Sequence, residues 1–241
     1  MSSEAKKTGV IDPDYPFYND NPTIKPWGIL ILAAAVIYLS LSIFLEIEYP
    51  WYWGAILFCL IPLAAFLIVA KGKMSLIVKK FKAMDFVRIL VTLILQYVFV
   101  LGIGIARTML FKTQPTANAV LDADMNSTFW GLILIQLFGE ELYKLLIFLV
   151  VMILLYKATK KRTLSIVLST LITLLCFALV HATAYDFNWT QILINQGLGT
   201  FFCMYNYLKS KNILTSYIQH VLLDAIPFLM AMAGLFDKIQ Q

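Results

Sequence analysis

The stretch Phe138-Gly139-Glu140-Glu141-Leu142-Tyr143-Lys144 sits in the middle of an apolar run spanning residues 129–156. A run of that length is enough to cross a bilayer as a helix. Glu140, Glu141 and Lys144 therefore lie far from either membrane surface. Each charge at the centre of a membrane helix costs roughly 2.5–3.5 kcal/mol on insertion scales, so a span with no task but crossing would not keep three. Such charges need partners. The chain has two histidines, His181 and His220, and both fall in other apolar runs. The spans that carry them are predicted to converge with this one on a single buried polar site.

Of the 241 residues, 61% are hydrophobic and 14% charged. A soluble domain is nearer half apolar and a quarter charged. The chain is therefore expected to be an all-α, polytopic membrane protein with one membrane domain. A net charge of +5 is ordinary for such a protein, whose lysines gather on cytoplasmic loops, and no nucleic-acid partner is expected. Cys59, Cys176 and Cys203 stand in apolar stretches without paired spacing and read as small packing residues.

In chain order, residues 1–26 form a polar leader with four prolines, too long and too acidic for the n-region of a signal peptide. A transmembrane domain follows over 27–235, with a short tail at 236–241. Its spans are predicted at 27–45, 49–70, 86–106, 129–156, 164–185, 190–208 and 213–235, a bundle of about seven. Within 71–85, Met74, Ile77, Val78, Phe81 and Met84 recur at helical spacing, with Lys73, Lys79, Lys80 and Lys82 on other faces. That pattern predicts a short interfacial amphipathic helix lying on an anionic leaflet. Gly102 and Gly104 in the third span predict close helix contact. Fifteen Lys and Arg fall on the leader and alternate connections 71–88, 157–162 and 209–211, against three on the other side. The positive-inside rule then predicts a multi-pass protein of the cell membrane with a cytoplasmic N-terminus.

On a helix, Glu140 and Lys144 stand at i, i+4 and Glu141 and Lys144 at i, i+3, so one lysine can neutralise either acid. The other acid is left without a counter-charge on its own helix, in surroundings that suit proton transfer. In the fifth span Phe177 precedes His181 by one turn. In the seventh, His220 precedes Asp224 by one turn, and Pro227 weakens the backbone ladder just beyond. Asp224 either stays protonated and donates a hydrogen bond or ionises and pairs with His220; the pairing is the expected arrangement. Each pair by itself could merely fix packing. Their succession in three spans, over residues 140–224, points to one site.

In order and spacing, Glu140-Glu141, Phe177-x-x-x-His181 and His220-x-x-x-Asp224 resemble the motifs of the CPBP family of intramembrane endopeptidases. That family includes the type II CaaX prenyl proteases and bacterial proteins of bacteriocin processing or self-immunity. The resemblance covers about a third of the chain. It implies a helical membrane endopeptidase in which Glu140 is the general base that activates water, with Glu141 beside it and His181 helping to hold that water. It also implies that His220 and the residue at 224 stabilise the oxyanion. Lys144 and Phe177 would support them. The sequence departs from the family twice: Leu145 stands where an arginine is common, with Lys144 one step earlier, and Asp224 replaces an asparagine. The Glu-Glu-x-x-Lys spacing is also similar to that of the related PrsW-type membrane proteases.

Other intramembrane proteases fit less well. The chain has no Gly-x-Ser-x-Gly, no Gly-x-Gly-Asp and no His-Glu-x-x-His. The expectation is hydrolysis of a peptide bond in a membrane-tethered peptide or protein, within the lipid bilayer. No cofactor is expected, although Glu140, His181, His220 and Asp224 form a donor set that zinc or cobalt could use. The alternative is a non-catalytic bacteriocin self-immunity or scaffold protein of the same fold.

Overall fold

The computed structural model describes residues 14–111, 116 and 125–233. The first half of the leader, most of the third-to-fourth-span connection and the tail at 236–241 lie outside them. The described residues are helical, with no strand among them. In order they form α1 (Pro26–Phe44), α2 (Trp51–Val69), α3 (Ala83–Phe111), α4 (Ser127–Thr159), α5 (Arg162–Leu179), α6 (Trp189–Gln191), α7 (Phe201–Ser210) and α8 (Ile213–Met232). Six of them, α1 to α5 and α8, are long and apolar enough to cross a membrane. The protein is thus a multi-pass helical membrane bundle.

The predicted sixth span is broken. After α6 the chain runs as a π-helical stretch, Ile192–Leu198, before α7 begins. The wider turn brings Gly199 so close to the preceding turn that a Cβ there would lie 2.3 Å from the carbonyl of Asn195. Glycine is what permits that approach.

α4 is the axis of the bundle. Its most apolar window is 56% buried, against 22–39% for the other crossing helices. At 33 residues it is about 50 Å long. Asn126 starts it, the side-chain oxygen accepting from the amides of Thr128 and Phe129, and Lys160 ends it in the left-handed conformation. α5 lays Ser165, Ser169, Thr170 and Thr173 against its neighbours, each hydroxyl bonded to a carbonyl one turn earlier. Small residues with satisfied hydroxyls let helices approach closely in lipid.

Two prolines open the backbone beside the site. Pro62 cannot donate to the carbonyl of Phe58, and that oxygen lies against Gly139 of α4, where a Cβ would come within 2.7 Å of it. Pro227 likewise frees the carbonyl of Leu223, which Tyr97 of α3 satisfies with a 2.6 Å hydrogen bond. Each freed carbonyl borders a candidate site residue, Glu140 in one case and Asp224 in the other.

The segment 71–85 is not an interfacial helix. It holds one 3-10 turn, Met74–Leu76, and then has no regular structure until α3 begins at Ala83. The carbonyl of Ile77 accepts from the amide of Ile213, and the main chain of Lys79 exchanges two hydrogen bonds with the side chain of Asn212. Ile77 is fully buried, with Met74 and Val78 packed on the same core. Met74, Ile77 and Val78 therefore face the bundle while Met84 is exposed, and backbone pairing with the α7–α8 turn replaces the helix ladder. Gly102 and Gly104 make no close helix contact either; a Cβ at each would meet nothing within 4 Å.

The leader is less polar in use than in composition. Tyr15, Phe17 and Tyr18 are buried in the main core. Tyr15 donates to the carbonyl of Leu208, and Arg162 forks onto Asp14 at 2.7 and 2.8 Å. Contacts among 14–24, 71–82, 157–162 and 209–213 thus gather the four lysine-rich segments at one end of the bundle.

Candidate active site

Midway along α4 the two adjacent glutamates have different surroundings. Glu141 is 4% exposed and spent on structure. One oxygen takes Lys144 at 2.5 Å and His220 Nδ1 at 2.8 Å; the other accepts from Ser216. Three donors on one carboxylate, two of them ionisable, satisfy it as fully as a buried acid can be. The lysine ammonium also lies 4.4 Å from the centre of the Phe177 ring. Lys144 thus serves Glu141, settling which acid the i, i+3 and i, i+4 spacings select.

Glu140 has one weak hydrogen bond, from Gln136 at 3.3 Å, and faces open space. Two cavities, of about 520 and 360 Å³, share Gln136, Glu140, His181 and Ala184 as a common wall. The larger lies between α1 and α2. The smaller lies among α3, α8 and the π-helical stretch, and it alone reaches His220 and Asp224. Glu141, Lys144 and Ser216 line neither cavity.

Both histidines are held by Nδ1 and present Nε2. In His181, one residue beyond the C-cap of α5, Nδ1 donates to the carbonyl of Phe177 at 2.7 Å. In His220, Nδ1 donates to Glu141, and Nε2 sits 3.7 Å from both Glu140 Oε2 and Asp224 Oδ2. The expected pairing of Asp224 with His220 is present at ion-pair range, 3.7 Å, but it is not the closest one. The direct partner is Glu141, and Asp224 stands in ion-pair range but beyond a hydrogen bond. Phe177 is a spacer, its ring centroid 4.6 Å from that of His181 and 6.4 Å from that of His220.

Lys144 faces three carboxylates, Glu140, Glu141 and Asp224. His220 donates to Glu141 through Nδ1 and turns Nε2 toward Glu140 and Asp224. His181, with Nδ1–H already committed, offers Nε2 as an acceptor. Glu140, His181 and His220 thus meet around the smaller cavity.

All seven sequence-derived residues are thus within one region. Sequence reasoning missed Gln136 and Ser216, each four residues before a site residue (Glu140 and His220), a spacing that places them on the same helix face. Glu140, Asp224 and His220 Nε2 come nearest to a donor set for a cation, but among the described residues no cluster of three or more His, Cys, Asp and Glu is arranged to hold a metal ion. No family model, curated protein or solved structure matches the chain.

Proposed function

We propose that the protein is an intramembrane endopeptidase that hydrolyses a peptide bond with glutamate-activated water. The observation that carries this reading is the division of labour between adjacent acids: Glu141 is consumed by Lys144, His220 and Ser216, while Glu140 opens onto both cavities. A cluster that only locked helices would have no use for a second buried acid facing empty space. The resemblance to the CPBP family points the same way.

Water held between Glu140 and His181 Nε2 loses a proton to Glu140 as its oxygen adds to the carbonyl carbon. His220 Nε2–H donates to the oxyanion that forms. Collapse breaks the C–N bond, and the proton on Glu140 passes to the leaving amine. Glu141, with Lys144 and Ser216, positions His220 and touches no substrate. Asp224, protonated or bridged through water, sits beside the oxyanion site as a second donor. The lysine-rich end belongs on the cytoplasmic side of the cell membrane by the positive-inside rule, so the cavities open toward the outer half.

Glu140→Gln keeps the shape and removes the base. It should lower turnover of a membrane-tethered peptide by about 10²–10⁴-fold while leaving thermal stability in detergent unchanged. Turnover near the wild-type rate in the purified variant would sink the glutamate mechanism. A wild-type protein that cleaves no such peptide would favour the immunity or scaffold alternative.

A further inference from the structure

The two cavities that meet at Glu140 differ in chemistry. The larger is walled by aliphatic and aromatic side chains of α1, α2 and the end of α5, among them Leu39, Ile43, Leu57, Phe58, Ile61 and Val180. Its rim carries two exposed acids, Glu46 and Glu48, from the α1–α2 loop. The smaller presents amides instead, Gln96, Gln136, Gln191, Asn195 and Gln196. Gln191 is taken up by Thr116, while Gln96 accepts from Gln219, Gln136 donates to Glu140 and Gln196 donates to Tyr185, each through one end of its amide. The side-chain oxygen of Asn195 is buried without a hydrogen-bond partner, an acceptor left open in that wall. Neither cavity is lined by a lysine or arginine among the described residues.

Apolar walls take apolar side chains, whereas amides that both donate and accept match the N–H and C=O groups of an extended backbone. Acids at the rim and Glu140 and Asp224 inside repel an anionic ligand and attract a cationic one. We infer that the two cavities are the halves of one peptide cleft, selective for a segment in which an apolar stretch lies between α1 and α2, a basic residue outside it meets Glu46 and Glu48, and the backbone beyond Glu140 is held by the amides. This assignment of substrate class rests on the hydrolase reading for its purpose but not for its test. A substrate led by acidic residues is disfavoured at the same rim, because Glu46 and Glu48 repel it and no lysine or arginine among the described residues lines either cavity.

The test uses the full-length protein in nonionic detergent at low salt and two short dye-labelled peptides. Both have the same leucine-rich core; one is flanked by lysines, the other by glutamates. Binding is read by fluorescence anisotropy on the Glu140→Gln variant, so that turnover does not intervene. The lysine peptide should bind about tenfold tighter than the glutamate peptide, and Glu46→Lys with Glu48→Lys should invert that order. An affinity ratio unmoved by the double reversal overturns the cleft, as does failure of both peptides to bind. Cleavage of the same pair by the wild type separates the two readings. Peptides that bind with the expected preference yet stay intact leave the cleft standing and remove the hydrolase. Peptides cleaved with no dependence on Glu46 and Glu48 do the reverse.

Discussion

At the lysine-rich end of the bundle Tyr15, Phe17 and Tyr18 fill the space between helices, and hydrogen bonds tie Asp14 to Arg162, Tyr15 to Leu208 and Lys79 to Asn212. At the other end, among the described residues, an amide clamp ties the chain, Gln191 exchanging two 2.9 Å hydrogen bonds with the backbone of Thr116. There the helices part around two cavities, and the chain abandons regular α-helix over Ile192–Leu198. The boundary between the closed and open regions falls at the Glu140–Glu141 peptide, since only the first of the two acids lines a cavity. A side chain on the closed side should therefore cost stability when changed. One on the open side should cost activity and little else. Buried charge alone does not mark a working residue in this bundle; an unspent hydrogen-bonding capacity next to space does.

Lys144→Met should strike the closed region hardest. Removing one partner of a buried pair leaves an uncompensated charge, at a cost of about 3–5 kcal/mol. Denaturation by SDS in mixed micelles measures it. Exchanging both partners, Lys144→Met with Glu141→Met, should recover only part of that loss, because the ammonium and carboxylate leave together but His220 and Ser216 lose their acceptor. A single variant within about 1 kcal/mol of the wild type would show that His220 alone neutralises Glu141, and the boundary would have to move toward Lys144.

A smaller effect is expected where α2 meets α4. A Cβ at Gly139 would lie 2.7 Å from the carbonyl of Phe58 and 2.8 Å from the Cα of Cys59. Backbone cannot swing aside as a side chain can, so Gly139→Ala should separate the helices at a cost of about 1–3 kcal/mol. Gly131, on the same helix, has nothing within 4 Å of its Cβ position. Gly131→Ala should instead stabilise by about 0.5–1 kcal/mol through helix propensity. Equal behaviour of the two variants would mean that the close approach at Gly139 does not limit packing. Because Gly139 adjoins Glu140, its alanine variant should also lose turnover, whereas Gly131→Ala should not.

Hydropathy made most of the spans legible, because a bilayer tolerates little besides apolar helix. The spacing of Glu141 and Lys144 made their pairing legible too, as one of two choices. What sequence could not supply was contact between distant segments. Met74, Ile77 and Val78 recur as they would on an amphipathic helix, and nothing nearby in sequence reveals that Asn212 and Ile213 take up that segment's backbone bonds. The break in the sixth span had a local clue in Gly197 and Gly199, but glycines are frequent in membrane helices, and those at 102 and 104 turned out to face open space. Gln136 and Ser216 stood at the right interval before Glu140 and His220. Uncharged polar residues are cheap enough in a span that the interval carried no weight by itself. Tyr15, Phe17 and Tyr18 were hidden by the prolines and acids around them.

The mildest prediction concerns the strap at the closed end. Burial pushes the Asp14 carboxyl up, but hydrogen bonds from Arg162, Tyr18 and the amide of Tyr15 outweigh it and hold the group at about 2 rather than 3.8. A carboxylate whose folded value is depressed stabilises the fold above its unfolded value, and that contribution disappears as pH falls through the folded one. Asp14 should therefore help to hold the leader at neutral pH and stop doing so between about pH 4 and pH 2. The guanidinium of Arg162 is 45% exposed, so water and salt screen the pair and its worth is at most about 1 kcal/mol. Asp14→Asn should be slightly less stable than the wild type at pH 7. The difference should shrink as pH approaches 2, and should also shrink at neutral pH in molar salt. Peptide cleavage at pH 7 should be the same in both proteins, since nothing at Asp14 reaches the cavities. A stability gap that survived at pH 2 would deny the ion pair its role. A cleavage rate that fell with the strap intact would show that the closed end reaches the chemistry, and the separation of the two regions would fail.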